Sequence, residues 1–163
     1  MASEHYVPIL FKQYDNGKFT DSIVKAPVKN IFLSSPKGEG LQFSHLKPGK
    51  VVIVAGGTGI YPFADLIDLL FKDEIMKQEP SLAETIIELS PVLKKDIFKS
   101  LSFLLLAAFN NFDDIHPITF HQMAYLSSRK RLSLTLKVKD SSNEGLKVLS
   151  NVKLVKGSFE AEL

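Results

Sequence analysis

A glycine-rich turn in the first half of the chain contains the residues best suited to bind a ligand. Glycine has no Cβ, so it adopts positive φ readily and lets the backbone approach a ligand closely. A helix that begins after such a turn directs free N–H groups and the positive end of its dipole into it. The sequence therefore predicts a site for an anionic group such as a phosphate. Seven consecutive residues form this turn: Gly56, Gly57, Thr58, Gly59, Ile60, Tyr61 and Pro62.

The residues on both sides of the turn predict the strand and the helix that position it. Val51 to Ala55 is a run without a polar residue, which is typical of a parallel strand buried on both faces. Pro62 suits the first turn of a helix, where its missing N–H costs nothing. Apolar residues then recur at helical spacing from Phe63 to Leu70, as expected for a helix with one buried face. A structural strand–turn–helix connection without a ligand is the alternative, because glycine-rich turns are common.

Further strands and an inserted helix follow the turn. Leu101 to Phe109 has a single hydroxyl side chain and predicts a second buried parallel strand. Leu132 to Val138 alternates apolar and polar residues, which predicts a third strand exposed on one face. Residues 72–99 predict an inserted helix or helix pair, in which Ser81 and Glu84 form a capping box. The succession of strands and helices predicts an α/β fold, a three-layer parallel sheet of Rossmann-like type with helices on both faces.

Shorter patterns predict local structure elsewhere. Phe19 to Val24 predicts a short helix with Thr20 as its N-cap, and Val28 to Leu33 is a candidate strand. After the second predicted strand, three apolar residues are expected in the core: Ile118, Met123 and Leu126.

Polar side chains directly follow the second predicted strand. Asn110 and Asn111 lie at its carboxyl end, where open α/β sheets bind ligands. Their amides are suited to hydrogen-bond an adenosine ribose, whereas Asp114 is better suited to cap the next helix. His116 and His121 are five residues apart, which does not place them on one face of a helix, and the chain has no cysteine. No metal site is therefore predicted.

The glycine turn resembles a motif of the NAD(P)-binding domain in the ferredoxin-NADP reductase and cytochrome b5 reductase superfamily. In that family an apolar strand is followed by GGTGITP and a bulky apolar residue. VAGGTGIYPF is similar throughout, with Tyr61 in place of the second threonine. Residues 14–23, 35–41 and 104–115 resemble, in the same order, the end of the flavin domain, the segment before the nucleotide domain and its second strand.

The resemblance implies a domain organisation and a function. Residues 1–48 would be a remnant of the flavin-binding β domain, and residues 49–163 an NAD(P)-binding α/β domain with the insertion at 72–99. The chain would be the NAD(P)H-binding part of a flavin-dependent oxidoreductase, in which the turn admits the dinucleotide and hydride passes to FAD. No catalytic acid or base is predicted, because the protein contributes orientation rather than proton chemistry.

Two parts of the family pattern are absent from the sequence. The RxYS/T flavin signature does not occur, so FAD is implied by the resemblance but binding by this chain alone is not expected. The strand that ends in CGP is also absent, which would leave the first strand with a free edge. Either the N-terminal strands or another polypeptide must cover this edge, and a second polypeptide is the prediction. The alternative function is a non-catalytic, reductase-derived scaffold or interaction subunit in a larger assembly.

Composition excludes several other functions. The net charge of +2 is too small to indicate nucleic-acid binding. The sequence has no apolar run long enough for a transmembrane helix. The N-terminal residues lack the pattern of a secretory signal, so a cytoplasmic location is expected, with an organelle as the alternative.

Overall fold

The chain forms two compact units, Met1–Leu41 and Gln42–Leu163. The computed structural model describes residues 13–27, 37, 42, 46–95, 98–139 and 153–156. In the first unit it describes helix α1 (Lys18–Lys25), which confirms the helix predicted there. The predicted N-cap is wrong, because Gly17 is the N-cap and Thr20 lies inside the helix. The candidate strand at 28–33 and much of the proposed flavin-domain remnant lie outside the described residues.

The second unit is built on a parallel sheet of four strands in the order β1-β2-β3-β4. Every neighbouring pair is parallel, which confirms the predicted α/β class. The first three strands were predicted from their apolar patterns. The strands are β1 (Gly49–Gly56), β2 (Leu101–Phe109), β3 (Leu132–Val138) and β4 (Lys153–Lys156).

Within the described residues, three helices and several short 3-10 segments lie between β1 and β3. The helices are α2 (Ala64–Gln78), α3 (Ala83–Leu89) and α4 (Pro117–Ser128). The 3-10 segments are Gly57–Phe63, Pro80–Leu82, Pro91–Lys95 and Phe112–Asp114. Helix α3 confirms the predicted insertion, but the predicted capping box is wrong. Ser81 lies in a 3-10 segment, and Leu82 is the N-cap of α3 without a side-chain hydrogen bond.

Helices α2 and α4 pack side by side on one face of the sheet. The rings of Phe71 and Tyr125 meet edge to face with centroids 5.2 Å apart, and the Gln122 amide donates to Asp68 over 2.8 Å. The strand order explains this placement, because successive right-handed crossovers in one direction leave their helices on the same face. The parallel sheet with packed helices is thus established, while helices on both faces remain a prediction.

The hydrophobic core lies between this helix pair and the sheet. Alternate residues of β2 are buried there: Leu101, Phe103, Leu105, Ala107 and Phe109. Met123 and Leu126 are fully buried, as predicted, but Ile118 is 63% exposed. Ile118 and Met123 are five positions apart in the sequence. At about 100° per residue, their side chains point about 140° apart around the helix, so Ile118 points away from the core.

The opposite face of the sheet is exposed at β1. Val52 is 53% and Val54 is 68% exposed, so the prediction that this strand is buried on both faces is wrong. The sheet register places these valines beside Leu104 and Leu106, which are half-buried. We call the surface formed by Lys50, Val52, Val54, Leu104 and Leu106 the open face. Its exposure follows from the position of β1 at the edge and from the placement of α2 and α4 on the other face.

Candidate functional site

The glycine turn joins the carboxyl end of β1 to a 3-10 segment. Gly56 ends the strand in extended conformation (φ −116°, ψ 126°), and Gly57 follows with φ +51°. A side chain at Gly57 would be strained, because L-residues other than glycine rarely adopt this conformation. Among the described residues, a Cβ built on Gly56, Gly57 or Gly59 would have no heavy atom within 4 Å. The backbone of the turn is therefore open to a ligand.

The helix that follows the turn begins later than predicted. A 3-10 segment of seven residues, including Pro62, separates β1 from α2. The N-cap of α2 is Phe63, which makes no side-chain capping bond. A 3-10 helix also leaves its first N–H groups without partners inside the helix. An anion at the glycines would consequently meet the start of the 3-10 segment rather than the start of α2.

The residues of the turn divide into an outer and an inner set. Thr58, Gly59 and Pro62 are exposed. Ile60 is 1% exposed, and Tyr61 is half-buried against the same hydrophobic core. Ile60 and Tyr61 therefore anchor the turn to the core, and the glycines and Thr58 provide its accessible surface.

Asn110 and Asn111 lie at the same end of the sheet as the glycine turn, where β1 and β2 have their carboxyl ends. Gly56 pairs in register with Ala108, so both asparagines follow the neighbouring strand just beyond its end. Both are exposed. The Asn111 N–H donates to the Asp114 carboxylate over 3.4 Å, which caps the Phe112–Asp114 segment rather than α4.

The sheet contains no topological switch point among its described strands. Ligands of open α/β sheets bind in the crevice where the strand order reverses, but the order here runs from β1 to β4 without reversal. The glycine turn therefore lies at a corner of the sheet. A crevice there requires a further strand, or another structural element, beside β1.

A buried group of charged residues at the opposite end of the sheet was not predicted. Asp73 and Glu74, near the end of α2, are each 7% exposed. Arg131, which precedes β3, donates to Asp73 over 3.0 Å and has its Nε 3.7 Å from Glu74. Lys77 also contacts Asp73 at 2.6 Å. We call these four residues the ionic cluster; it attaches α2 to the start of β3.

The end of α4 positions Arg131 for this contact. Lys130 has φ +58°, and its N–H donates to the Ser127 carbonyl over 3.0 Å. The Arg131 N–H donates to the Leu126 carbonyl over 2.9 Å. These two bonds form a Schellman motif, here with lysine where glycine is usual. The Arg131 guanidinium is thereby placed beside the Asp73 and Glu74 carboxylates.

Lys137 is a second buried charge that the strand pattern did not predict. It was expected on an exposed face of the third strand but is 3% exposed. The register pairs Lys137 with Ala108 and Ala108 with Gly56, so the three residues lie side by side across the sheet. Strand alternation alone gives the face of a residue but not what covers that face.

Comparison with known proteins gives no match, so the resemblance to the reductase superfamily rests on the sequence motifs alone. No protein-family model, curated protein or solved structure matches the chain. Among the described residues, no group of three or more histidine or acidic side chains is placed to hold a metal ion. No described helix combines the length and apolar character needed to cross a membrane.

Proposed function

We propose that the chain is the dinucleotide-binding part of a flavin-dependent oxidoreductase and that it positions NAD(P)H for hydride transfer to FAD. The observation that supports this function best is the open glycine turn at the carboxyl end of β1. Gly56, Gly57 and Gly59 leave space on the backbone, so a pyrophosphate can approach the N–H groups of the turn. This geometry fits the group that the family resemblance implies.

The residues around the turn have distinct roles in this proposal. The glycines and Thr58 contact the pyrophosphate and the nicotinamide ribose. Ile60 and Tyr61 hold the turn against the core, and Pro62 completes the turn. Asn110 and Asn111 hydrogen-bond the adenosine ribose from the end of the neighbouring strand. The bound nicotinamide supplies the hydride that the flavin accepts, and the protein contributes orientation.

A second polypeptide completes the site in this proposal. The switch-point crevice needs a structural element beside β1, and the exposed valines of β1 favour an additional layer on the open face. The same polypeptide would hold FAD, for which this chain lacks the family signature. The completed assembly would have the three-layer arrangement and would work in the cytoplasm, the location expected from the sequence.

Calorimetric titration of NADH and NADPH into wild type and Gly56→Val tests this function. Gly56 has extended backbone angles, so valine fits the strand without backbone strain but occupies the ligand space. We expect dinucleotide affinity to fall about tenfold or more. The matched control is Gly49→Val at the other end of β1, where the added Cβ meets one atom at 3.9 Å. Gly57→Val is less informative, because the positive φ makes any side chain strained.

A non-catalytic scaffold is the second candidate, and the position of β1 supports it. Without reversal of the strand order among the described strands, the turn has no crevice of its own. If the chain is a scaffold, NADH and NADPH should each bind as weakly to wild type as to Gly56→Val. Flavin absorption bands in the complex purified with its natural partners would instead support the oxidoreductase.

A further inference from the structure

The free edge of β1 presents backbone groups to a further strand. In the described part of the chain, β1 has a neighbouring strand on one side alone. The Gly49 N–H donates to the Ser100 carbonyl, next to β2, over 3.1 Å. Alternate residues of a strand in a sheet direct their backbone groups to opposite neighbours. The N–H and C=O groups of Lys50, Val52 and Val54 therefore point away from β2, towards the free edge.

The side chains of the same residues lie on the open face. Val52 and Val54 are more than half exposed, at 53% and 68%. Leu104 and Leu106 continue this apolar surface across β2. A strand added to β1 would place its alternate side chains directly beside the two valines, where β-branched and aromatic residues pair well.

Two lysines flank the amino end of this surface. Lys47 and Lys50 are exposed, and within the described residues neither has an ion-pair partner. Both line an open depression of about 370 Å³ at the amino end of β1, together with Leu46 and with Leu101, which belongs to the helix-covered face. The depression is continuous with β1. Its chemistry suits a carboxylate whose neighbouring atoms are apolar.

We infer that the free edge of β1 and the open face form a docking surface for an extended segment of a second polypeptide. This segment has apolar side chains at alternate positions and a carboxylate that lies beside Lys47 and Lys50. A second copy of this chain fits less well, because β1 (GKVVIVAG) contains no acidic residue to pair with these lysines. The inference rests on the proposed function, in which a second polypeptide completes the sheet, and it specifies the chemistry of that partner.

Two synthetic ten-residue peptides with the same alternating valines provide the test. One has glutamates at the end that faces Lys47 and Lys50, and the other has lysines there. Each peptide, with a fluorescent label, is titrated into the full chain. We expect the acidic peptide to bind about three- to tenfold tighter, the difference that one or two exposed ion pairs provide. Lys50→Glu should reverse the preference. Lys139→Glu, an equal change of charge at the far end of β3, should leave it unchanged.

Hydrogen exchange locates the bound peptide. Bound acidic peptide should slow exchange at the amides of Lys50, Val52 and Val54, because they gain hydrogen-bond partners. Equal binding of the two peptides, or an unchanged preference in Lys50→Glu, would overturn the inference. The inference would also be overturned if light scattering showed a dimer and hydrogen exchange showed that the dimer contact protects the same amides. A second copy of the chain would then occupy the edge. Dinucleotide binding is measured in a separate titration, so failure of the proposed function is distinguishable from failure of this inference.

Discussion

The helix-covered face and the open face of the sheet are made from alternate residues of the same apolar strands. On the covered face Ile53 is 4% and Leu105 is 0% exposed, whereas Val52 and Val54 on the open face are 53% and 68% exposed. The difference shows that the apolar content of a strand does not reveal which of its faces is covered. Crossover direction decides where the helices lie, and apolar residues on the other face mark a surface available to a partner.

The largest contrast between the faces is expected from two adjacent leucines of β2. Leu105→Ala should lower the free energy of unfolding by about 2–5 kcal/mol, because it leaves a cavity in the core. Leu106→Ala removes the same atoms from the half-buried open face and should cost about 1 kcal/mol. Urea denaturation of both variants measures the difference. Equal losses would mean that the open face is as well covered in solution as the other.

A smaller effect is expected from the ionic cluster, which attaches α2 to the sheet on the covered side. Arg131→Met removes a guanidinium that contacts Asp73 and Glu74, both 7% exposed. The loss should be about 1–3 kcal/mol, less than for a fully buried pair because Lys77 still contacts Asp73.

The control for this variant is Lys25→Met, which breaks an exposed ion pair with Asp21 in α1. No measurable change in unfolding is expected there, since exposed pairs contribute little. If Arg131→Met proved equally neutral, the cluster would not attach α2 to the sheet.

The smallest effect on stability is expected on the open face itself. Val54→Thr keeps the shape of the side chain and its preference for strands. The free energy of unfolding should therefore change by no more than about 0.5 kcal/mol, as at ordinary surface positions. Affinity for the acidic peptide should meanwhile fall, because the apolar surface that the peptide covers is reduced. A large loss of stability with unchanged peptide affinity would indicate that Val54 is covered by this chain.

Elements that depend on local pattern could be predicted from the sequence. The nine-residue apolar run of β2 and the alternation of β3 each determine a strand without reference to distant residues. The absence of the CGP strand predicts a free edge at β1, and in the described part of the chain β1 has a neighbouring strand on one side alone. The glycine turn was found, but its 3-10 continuation was not, because Pro62 is compatible with either kind of helix.

Features that depend on distant residues could not be predicted in the same way. Asp73 and Glu74 occur within a helical pattern and would ordinarily be assigned to solvent. Their burial depends on Arg131, which is 58 residues from Asp73 in the chain. Ile118 is exposed for a related reason. Its apolar side chain would suit the core, but its angle around α4 directs it away from the face that contains Met123 and Leu126.

The strand order gives the sheet two unequal edges within its described part, and this bears on polymerisation. Because the strands are parallel, the β1 edge of one molecule and the β4 edge of another could pair in the same direction. Each such addition would leave the same two edges free, and a contact of this kind grows into a fibre instead of closing. β1 has eight residues, but β4 has only four. A growing fibre would be joined through the four-residue ladder of β4 alone, so the short length of β4 disfavours polymerisation.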